Sequence, residues 1–450
     1  MYSKASIIIA VLTMLFLPAL AQDQQTVTND SLYSQITNSD SVSIDSLAPE
    51  EIQLPWDERV KLQLEKLANE ADHAYYNTGI CVWDLTADSL LFGYNNNKVM
   101  RPASTQKMLT AVSALSMLGA KHEFRTKAYY TGTITADSIL TGDIYVVGDY
   151  DPMYSYEDLK ELAKNIKDLG IKKISGNLYG DASMKNKDLY GNGWCWDDVP
   201  SSGQPYHCPL MLERGKIAPK FNSYSKDLYF NPAVYFVNLL SQELSKIDVL
   251  PSDTLRTMIG FDEKEMTGNT KHFYTKARTI EQVLKRMMKN SDNYHAEAVF
   301  YQLAHLNTGK HCSWKDGSRQ VNNVMRKAGI NTAYVEVADG SGVSLYNYVS
   351  PNAEVEMLRY AYKNSNIFDY LYPALPIAGV DGTISSRMTK GNAKSNVHAK
   401  TGTVEGCSCL CGYVTASNGH FLAFSIMNNG VLKSQTGRNY QDRVCQELAR

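Results

Sequence analysis

The chain has 450 residues and carries 45 Lys and Arg against 47 Asp and Glu, a formal charge of −2. No basic block stands out, which argues against nucleic acid or an anionic membrane surface as a partner. The length suits two or three domains.

Residues 1–21 read as a secretory signal. Lys4 is followed by an apolar run from Ala5 to Leu20, and Ala19-Leu20-Ala21 ahead of Gln22 forms an A-x-A-like cleavage site. The run is short for a membrane span, and no cysteine at the site offers a lipid anchor. Residues 22–55 are rich in Ser, Thr, Asp and Gln and hold no Lys or Arg. Such a stretch cannot offset its ordering entropy by burial, so it is predicted to be a disordered tether. The globular part begins near Trp56 with a helix to about Tyr76. Two strands at 80–85 and 90–94 flank a Thr-Ala-Asp-Ser turn. After Pro102, the 3- and 4-residue spacing of Met108, Leu109, Val112, Leu115 and Leu118 predicts a helix with Ser104 in its first turn.

Strands are predicted at 127–130 and 143–147, then a helix at 156–169. Leu159, Leu162, Ala163, Ile166 and Leu169 form its apolar face, Ser155 its N-cap and Gly170 its end. Near the C-terminus, strands at 412–415 and 421–427 flank Ser417-Asn418-Gly419, and a closing helix starts near Gln435. Strands at both ends with helices between predict an α/β (α+β) fold whose antiparallel sheet is assembled from both termini.

Three strings carry chemistry: Ser104-Thr105-Gln106-Lys107, Ser291-Asp292-Asn293 and Lys400-Thr401-Gly402. A serine hydroxyl needs a base within hydrogen-bond reach. Residues three apart on a helix share a face, so Lys107 can hold its amine beside the Ser104 oxygen. To accept a proton that amine must be neutral; burial and a second cation, with Lys400 the candidate, would both lower its pKa. At the start of a helix Ser104 lies near free N–H groups that stabilise an oxyanion. A second S-x-x-K, Ser223-Tyr224-Ser225-Lys226, has no apolar stripe behind it and reads as a decoy. Ser175-Gly176-Asn177 and Ser350-Pro351-Asn352 sit among turn formers. A compact site must bring Ser104 and Ser291 together although they lie far apart in sequence, so an insertion is expected at 122–280, splitting the catalytic domain into 56–121 and 281–450.

The eight cysteines do not form a dense framework. Cys407, Cys409 and Cys411 alternate along a strand and share one face, where small apolar packing is preferred over metal binding. Cys195 and Cys208 flank a turn-rich stretch and are the best disulfide candidates. Cys81, Cys312 and Cys445 follow no usable pattern.

The ordered S-x-x-K, S-D-N, K-T-G set is that of class A β-lactamases and penicillin-binding proteins. Further segments make the likeness more specific: Leu140-Thr141-Gly142-Asp143-Ile144-Tyr145-Val146-Val147-Gly148 before Asp151-Pro152, Gly193-Trp194-Cys195-Trp196-Asp197-Asp198, Asp339-Gly340-Ser341-Gly342-Val343-Ser344, and 375–383 ending in Asp381-Gly382-Thr383. From about residue 75 to 430 the chain resembles the low-molecular-mass class C penicillin-binding proteins, the serine D-alanyl-D-alanine carboxypeptidases and endopeptidases. The resemblance implies a penicillin-binding-protein/β-lactamase-like transpeptidase fold, with an antiparallel sheet flanked by helices, an α-helical lobe and a mixed α/β insertion domain. It implies a periplasmic enzyme acting on peptidoglycan stem peptides ending in D-Ala-D-Ala, acylated by β-lactam antibiotics, with no cofactor and no metal. Ser104 would be the nucleophile, Lys107 its general base and Ser291 the proton relay. Asn293 would bind the peptide amide and Lys107; Lys400, Thr401 and Thr403, with Gly402 between them, would hold the terminal carboxylate. The N–H groups of Ser104 and Thr403 would form the oxyanion hole, with Asp292 structural. Leu345 and His398 stand where the family often has Arg, which bears on substrate preference.

Two alternatives are a serine β-lactamase and a catalytically silent peptidoglycan-binding scaffold. A class A β-lactamase uses an extra glutamate between S-D-N and K-T-G; no Glu-x-x-Leu-Asn segment stands there, and Glu356-Met357-Leu358-Arg359 lies in a helical run. The intact motif set argues against a scaffold. The nine histidines include no His-Glu-x-x-His, and His295-Ala296-Glu297 lacks the cysteine pair of a zinc deaminase. Ser341 lacks the outer glycine of a nucleophile elbow.

Overall fold

In a computed structural model of the protein, the described residues are 54–70, 76–198, 205–215, 231–251, 255–258 and 270–450. The signal and tether expected at 1–55 lie almost entirely outside them, as does the decoy string at 223–226.

Helix α1 (Trp56–Ala68) is shorter than its sequence pattern, because the Asn69 side-chain amide donates to the Glu65 carbonyl and closes the last turn. Strands β1 (Asn77–Asp84) and β2 (Ser89–Tyr94) follow. They join β10 (His398–Val404), β11 (Cys407–Thr415) and β12 (Phe421–Asn429) in one antiparallel sheet of order β10-β11-β12-β1-β2. Both termini thus build the sheet, as the hydrophobic pattern indicated, and β10 forms one edge.

That sheet is buried on both faces. Period-two alternation sends Cys81, Cys409, Cys411 and Met427 into one core, and Ile80, Val82, Leu410 and Ile426 into another shared with α1 and α10 (Ser434–Leu448). Two of the three alternating cysteines, Cys409 and Cys411, therefore pack as small apolar side chains of the first core. Cys195 and Cys208 are both free thiols, so the expected disulfide is not formed. Each end is anchored separately: the Cys208 thiol donates to the Leu210 carbonyl, and the Cys195 amide to the Asp198 carboxylate.

Helix α2 (Gln106–Met117) leaves a short 3-10 turn at Ala103–Thr105 and is buried on every side from Gln106 to Leu115. The elements from 123 to 279 build a second, mixed sheet. It contains β3 (Glu123–Tyr130), β5 (Ile144–Gly148), β7 (Leu178–Asp181), β8 (Leu255–Met258) and β9 (Lys271–Thr279), in order β8-β7-β5-β3-β9. Beside it β4 (Ile139–Leu140) and β6 (Lys173–Ile174) pair in parallel. Helices α3 (Tyr156–Asp168) and α4 (Pro232–Lys246) cover it. The α3 ends are those read from sequence: Ser155 and Asp158 form a reciprocal capping box, and Gly170 takes a φ of 84°.

Helices α5 (Ile280–Lys289), α6 (Asn293–Thr308), α7 (Trp314–Lys327), α8 (Pro351–Tyr362) and α9 (Ser365–Leu371) form a helical lobe. Four of them, α6 to α9, pack around α2. One apolar core runs from this lobe into the second sheet. Among the described residues no helix is long and apolar enough to cross a membrane.

Candidate active site

The site forms where the start of α2, the α5–α6 junction and edge strand β10 meet. Ala103, just ahead of Ser104, has a φ of 48°. A non-glycine residue pays for that left-handed conformation and keeps it only where its surroundings fix it. Two glycines permit the packing that fixes it. A Cβ on Gly342 would lie 1.8 Å from the Ala103 carbonyl oxygen, and one on Gly402 would lie 2.5 Å from the Pro102 oxygen and 3.1 Å from the Ser104 nitrogen. Strand β10 therefore runs hard against the turn that presents Ser104.

Lys107 is fully buried and donates to three acceptors: Ser104 Oγ at 2.8 Å, Asn293 Oδ1 at 2.7 Å and the Ser341 carbonyl at 2.7 Å. An ammonium has three donors, so this geometry saturates it. Burial nevertheless brings the Lys107 amine down to about 8, against the opposing pull of the Asp339, Glu297 and Asp292 carboxylates. Burial is one of the two causes expected from the sequence; the other, repulsion between the two cations, is expressed at Lys400. It is Lys400 that is held well below its ordinary value, by its own burial and then by Lys107.

Lys400 is also fully buried. Its ammonium donates to Ser291 Oγ at 2.8 Å and to the Thr401 carbonyl at 2.6 Å. Ser291 has a φ of 54° at the bend between α5 and α6. Asp292 caps α6 through the His295 amide and pairs with Arg214 and Arg286. Burial opposes its ionisation, but His295 and Arg214 hold its carboxyl far below the usual range. Asp292 is thus a clamp that fixes Ser291 and Asn293 on either side of it.

All three strings therefore converge in two Ser–Lys pairs, Ser104–Lys107 and Ser291–Lys400, with Asn293 accepting from Lys107. Along β10 the Thr403 side chain is exposed, and the Thr401 hydroxyl donates to Thr383 Oγ1 at 2.8 Å. Thr383 follows Asp381, whose carboxylate is gripped by Lys289 at 2.6 and 2.7 Å. The reading of individual residues missed this support. It also missed Asp339, which accepts from the Gly342 and Ser344 amides, from Asn347 and from the Trp194 indole at 2.9 Å. Both lie in segments that carried the family likeness, where only their Gly and Asp content was legible. Among the described residues no group of three or more His, Cys, Asp or Glu could hold a metal ion.

The fold and the paired Ser–Lys arrangement define a serine hydrolase of the acyl-transfer type. The chain belongs to the D-Ala-D-Ala carboxypeptidase 3 (S13) family, whose sequence model matches residues 60–227 and 222–450. It is accordingly a penicillin-binding serine peptidase of the carboxypeptidase type. The D-alanyl-D-alanine carboxypeptidase DacB of Haemophilus influenzae is 27% identical over 430 residues, covering 80% of this chain and 88% of the relative. A D-alanyl-D-alanine carboxypeptidase of Actinomadura sp. is 27% identical over 428 residues, covering 78% of each. The crystal structure of penicillin binding protein 4 from Haemophilus influenzae superposes with a TM-score of 0.74 at 25% identity, covering 86% of this chain and 98% of that one.

Proposed function

We propose that this enzyme cleaves peptidoglycan stem peptides ending in D-Ala-D-Ala through an acyl-enzyme on Ser104. The observation that carries the reading is the 2.8 Å contact between Ser104 Oγ and the buried Lys107 amine. Neutral Lys107 takes the Ser104 proton as Oγ bonds to the carbonyl carbon of the penultimate D-alanine. The resulting oxyanion faces the N–H groups of Ser104 and Thr403. Collapse breaks the peptide bond, and the proton that Lys107 took passes through Ser291, which Lys400 already touches, to the leaving amine, so that Lys107 is neutral again. Water then hydrolyses the ester, giving its proton to the same base and returning Ser104. Asn293 holds the substrate amide and Lys107. Lys400, Thr401 and Thr403 hold the terminal carboxylate, while Gly402 lets β10 approach the nucleophile turn. A carboxypeptidase releases free D-alanine, and an endopeptidase releases a cross-linked side-chain amine; both steps use the same groups.

The same reading makes β-lactams covalent inhibitors, because they present a strained amide to Ser104. It places the enzyme in the periplasm, exported by the segment 1–21 and tethered by 22–55, with 122–280 inserted into the catalytic domain. Mass spectrometry of muropeptides digested by the purified protein tests it. Loss of one alanine, or scission of cross-linked dimers, is expected from wild type and absent from Ser104→Ala; equal digestion by both would overturn it.

A further inference from the structure

Glu297 is a buried carboxylate that the mechanism above does not use. It lies one helical turn beyond Asn293 on α6, so the two side chains leave the same face. Only 1% of Glu297 is exposed. Its Oε1 accepts the Ser341 amide at 2.8 Å and the Gly340 amide at 3.1 Å. The next carbonyl along, that of Ser341, accepts from Lys107. One face of α6 therefore reaches Lys107 twice, directly through Asn293 and indirectly through the Ser341 residue that Glu297 holds.

We propose that Glu297 is a positioning residue for the general base: it fixes the Ser341 carbonyl against Lys107, and its charge sets how firmly Lys107 keeps its proton. The inference rests on Lys107 being that base. Asp339 holds the far side of the same loop, through Gly342 and Ser344, but leaves the Ser341 amide to Glu297. Burial and then the Asp339 charge raise Glu297 to about 8, against the hydrogen bonds from Ser341 and Gly340 and the charge of Lys107. Base and carboxyl therefore titrate in one pH range, as a coupled pair. As Glu297 ionises it favours the charged form of Lys107, which resists deprotonation. Other groups face the pair. Lys185 and the phenols of Tyr150 and Tyr301 lie around Glu297, and Asp292 and Lys400 around Lys107. None of these accepts the Ser341 amide.

The test is the pH profile of benzylpenicillin acylation in wild type, Glu297→Gln, Glu297→Ala and Lys107→Ala, with thermal unfolding of each. Glutamine keeps the oxygen that accepts from Ser341 and removes the charge. Its rising limb is expected to move down by at least half a pH unit, about a threefold weaker hold of Lys107 on its proton. Alanine also frees the loop, and its plateau is expected to fall at least tenfold. If the glutamine variant has an unmoved limb, Glu297 is structural and the proposal fails. Should glutamine not fold, Glu297→Asp keeps the charge and is expected to keep the wild-type midpoint with a lower plateau; a midpoint displaced downward overturns the proposal. Near-normal acylation by Lys107→Ala would instead remove Lys107 as base, a separate failure.

Discussion

The Lys400 ammonium donates to the Ser291 hydroxyl at 2.8 Å, joining the edge strand of the main sheet to the bend that opens α6. Under the proposed mechanism the third motif has two tasks, holding a substrate carboxylate and supporting the relay that protonates the leaving amine.

The two tasks separate in Lys400→Ala. Charge-assisted hydrogen bonds to a carboxylate are stronger than those to a neutral amide. The ratio of kcat/KM for a peptide with a free terminal carboxylate to that for its amidated form is expected to fall by about tenfold, a loss of roughly 1.4 kcal/mol of selective binding. Both values drop further because the relay is broken. An unchanged ratio would leave Lys400 as support for the relay alone.

Acylation is expected to speed up with pH. With the Lys107 amine at about 8, only roughly a tenth of the base is neutral at pH 7. The acylation rate should rise steeply below pH 8 and level off above it, because deprotonation creates the active form. A rate that is flat between pH 6 and 9 would contradict Lys107 as the titrating base.

Gly402→Ala should disable the enzyme without removing any polar group. The new methyl would sit 2.5 Å from the Pro102 oxygen, 3.0 Å from the Thr105 nitrogen and 3.1 Å from the Ser104 nitrogen. These are backbone atoms, which cannot swing aside. Overpacking of this kind costs about 1–3 kcal/mol, and here relief displaces the nucleophile turn. Penicillin acylation is expected to fall at least tenfold; wild-type acylation would show that β10 can retreat freely.

Trp194→Phe removes the indole donor to Asp339 while keeping an aromatic ring. Hydrogen bonds to charged groups contribute about 1.5–3 kcal/mol. Asp339 retains several other donors, so a destabilisation near the lower end is expected in denaturant unfolding. A midpoint equal to wild type would mean that the indole contact carries no weight.

Local rules made much of this legible. The apolar stripe behind Ser104, the Ser155 cap and the alternating cysteines each follow from a period or a cap that the residues themselves display. The three motifs named Ser104, Lys107, Ser291 and Lys400, and the structure brings them together. What could not be read is the partner of each buried charge. Glu297 stands in an otherwise apolar run, Ala296-Glu297-Ala298-Val299-Phe300, which marks it as exceptional. Its partners, however, are the Gly340 and Ser341 amides, brought to it by tertiary packing. Likewise the Cys195–Cys208 pairing looked plausible from spacing alone, while separate local hydrogen bonds anchor the two residues. The end of α1 was overextended because one side-chain amide, that of Asn69, stops it.

The central claim, a nucleophilic Ser104 activated by Lys107, is tested most directly by intact-mass analysis of the protein after exposure to benzylpenicillin. A single adduct of the mass of the antibiotic is expected on wild type, mapped by peptide digestion to Ser104 and absent from Ser104→Ala. An adduct on Ser223 or Ser291, or undiminished labelling of Ser104→Ala, would contradict the account.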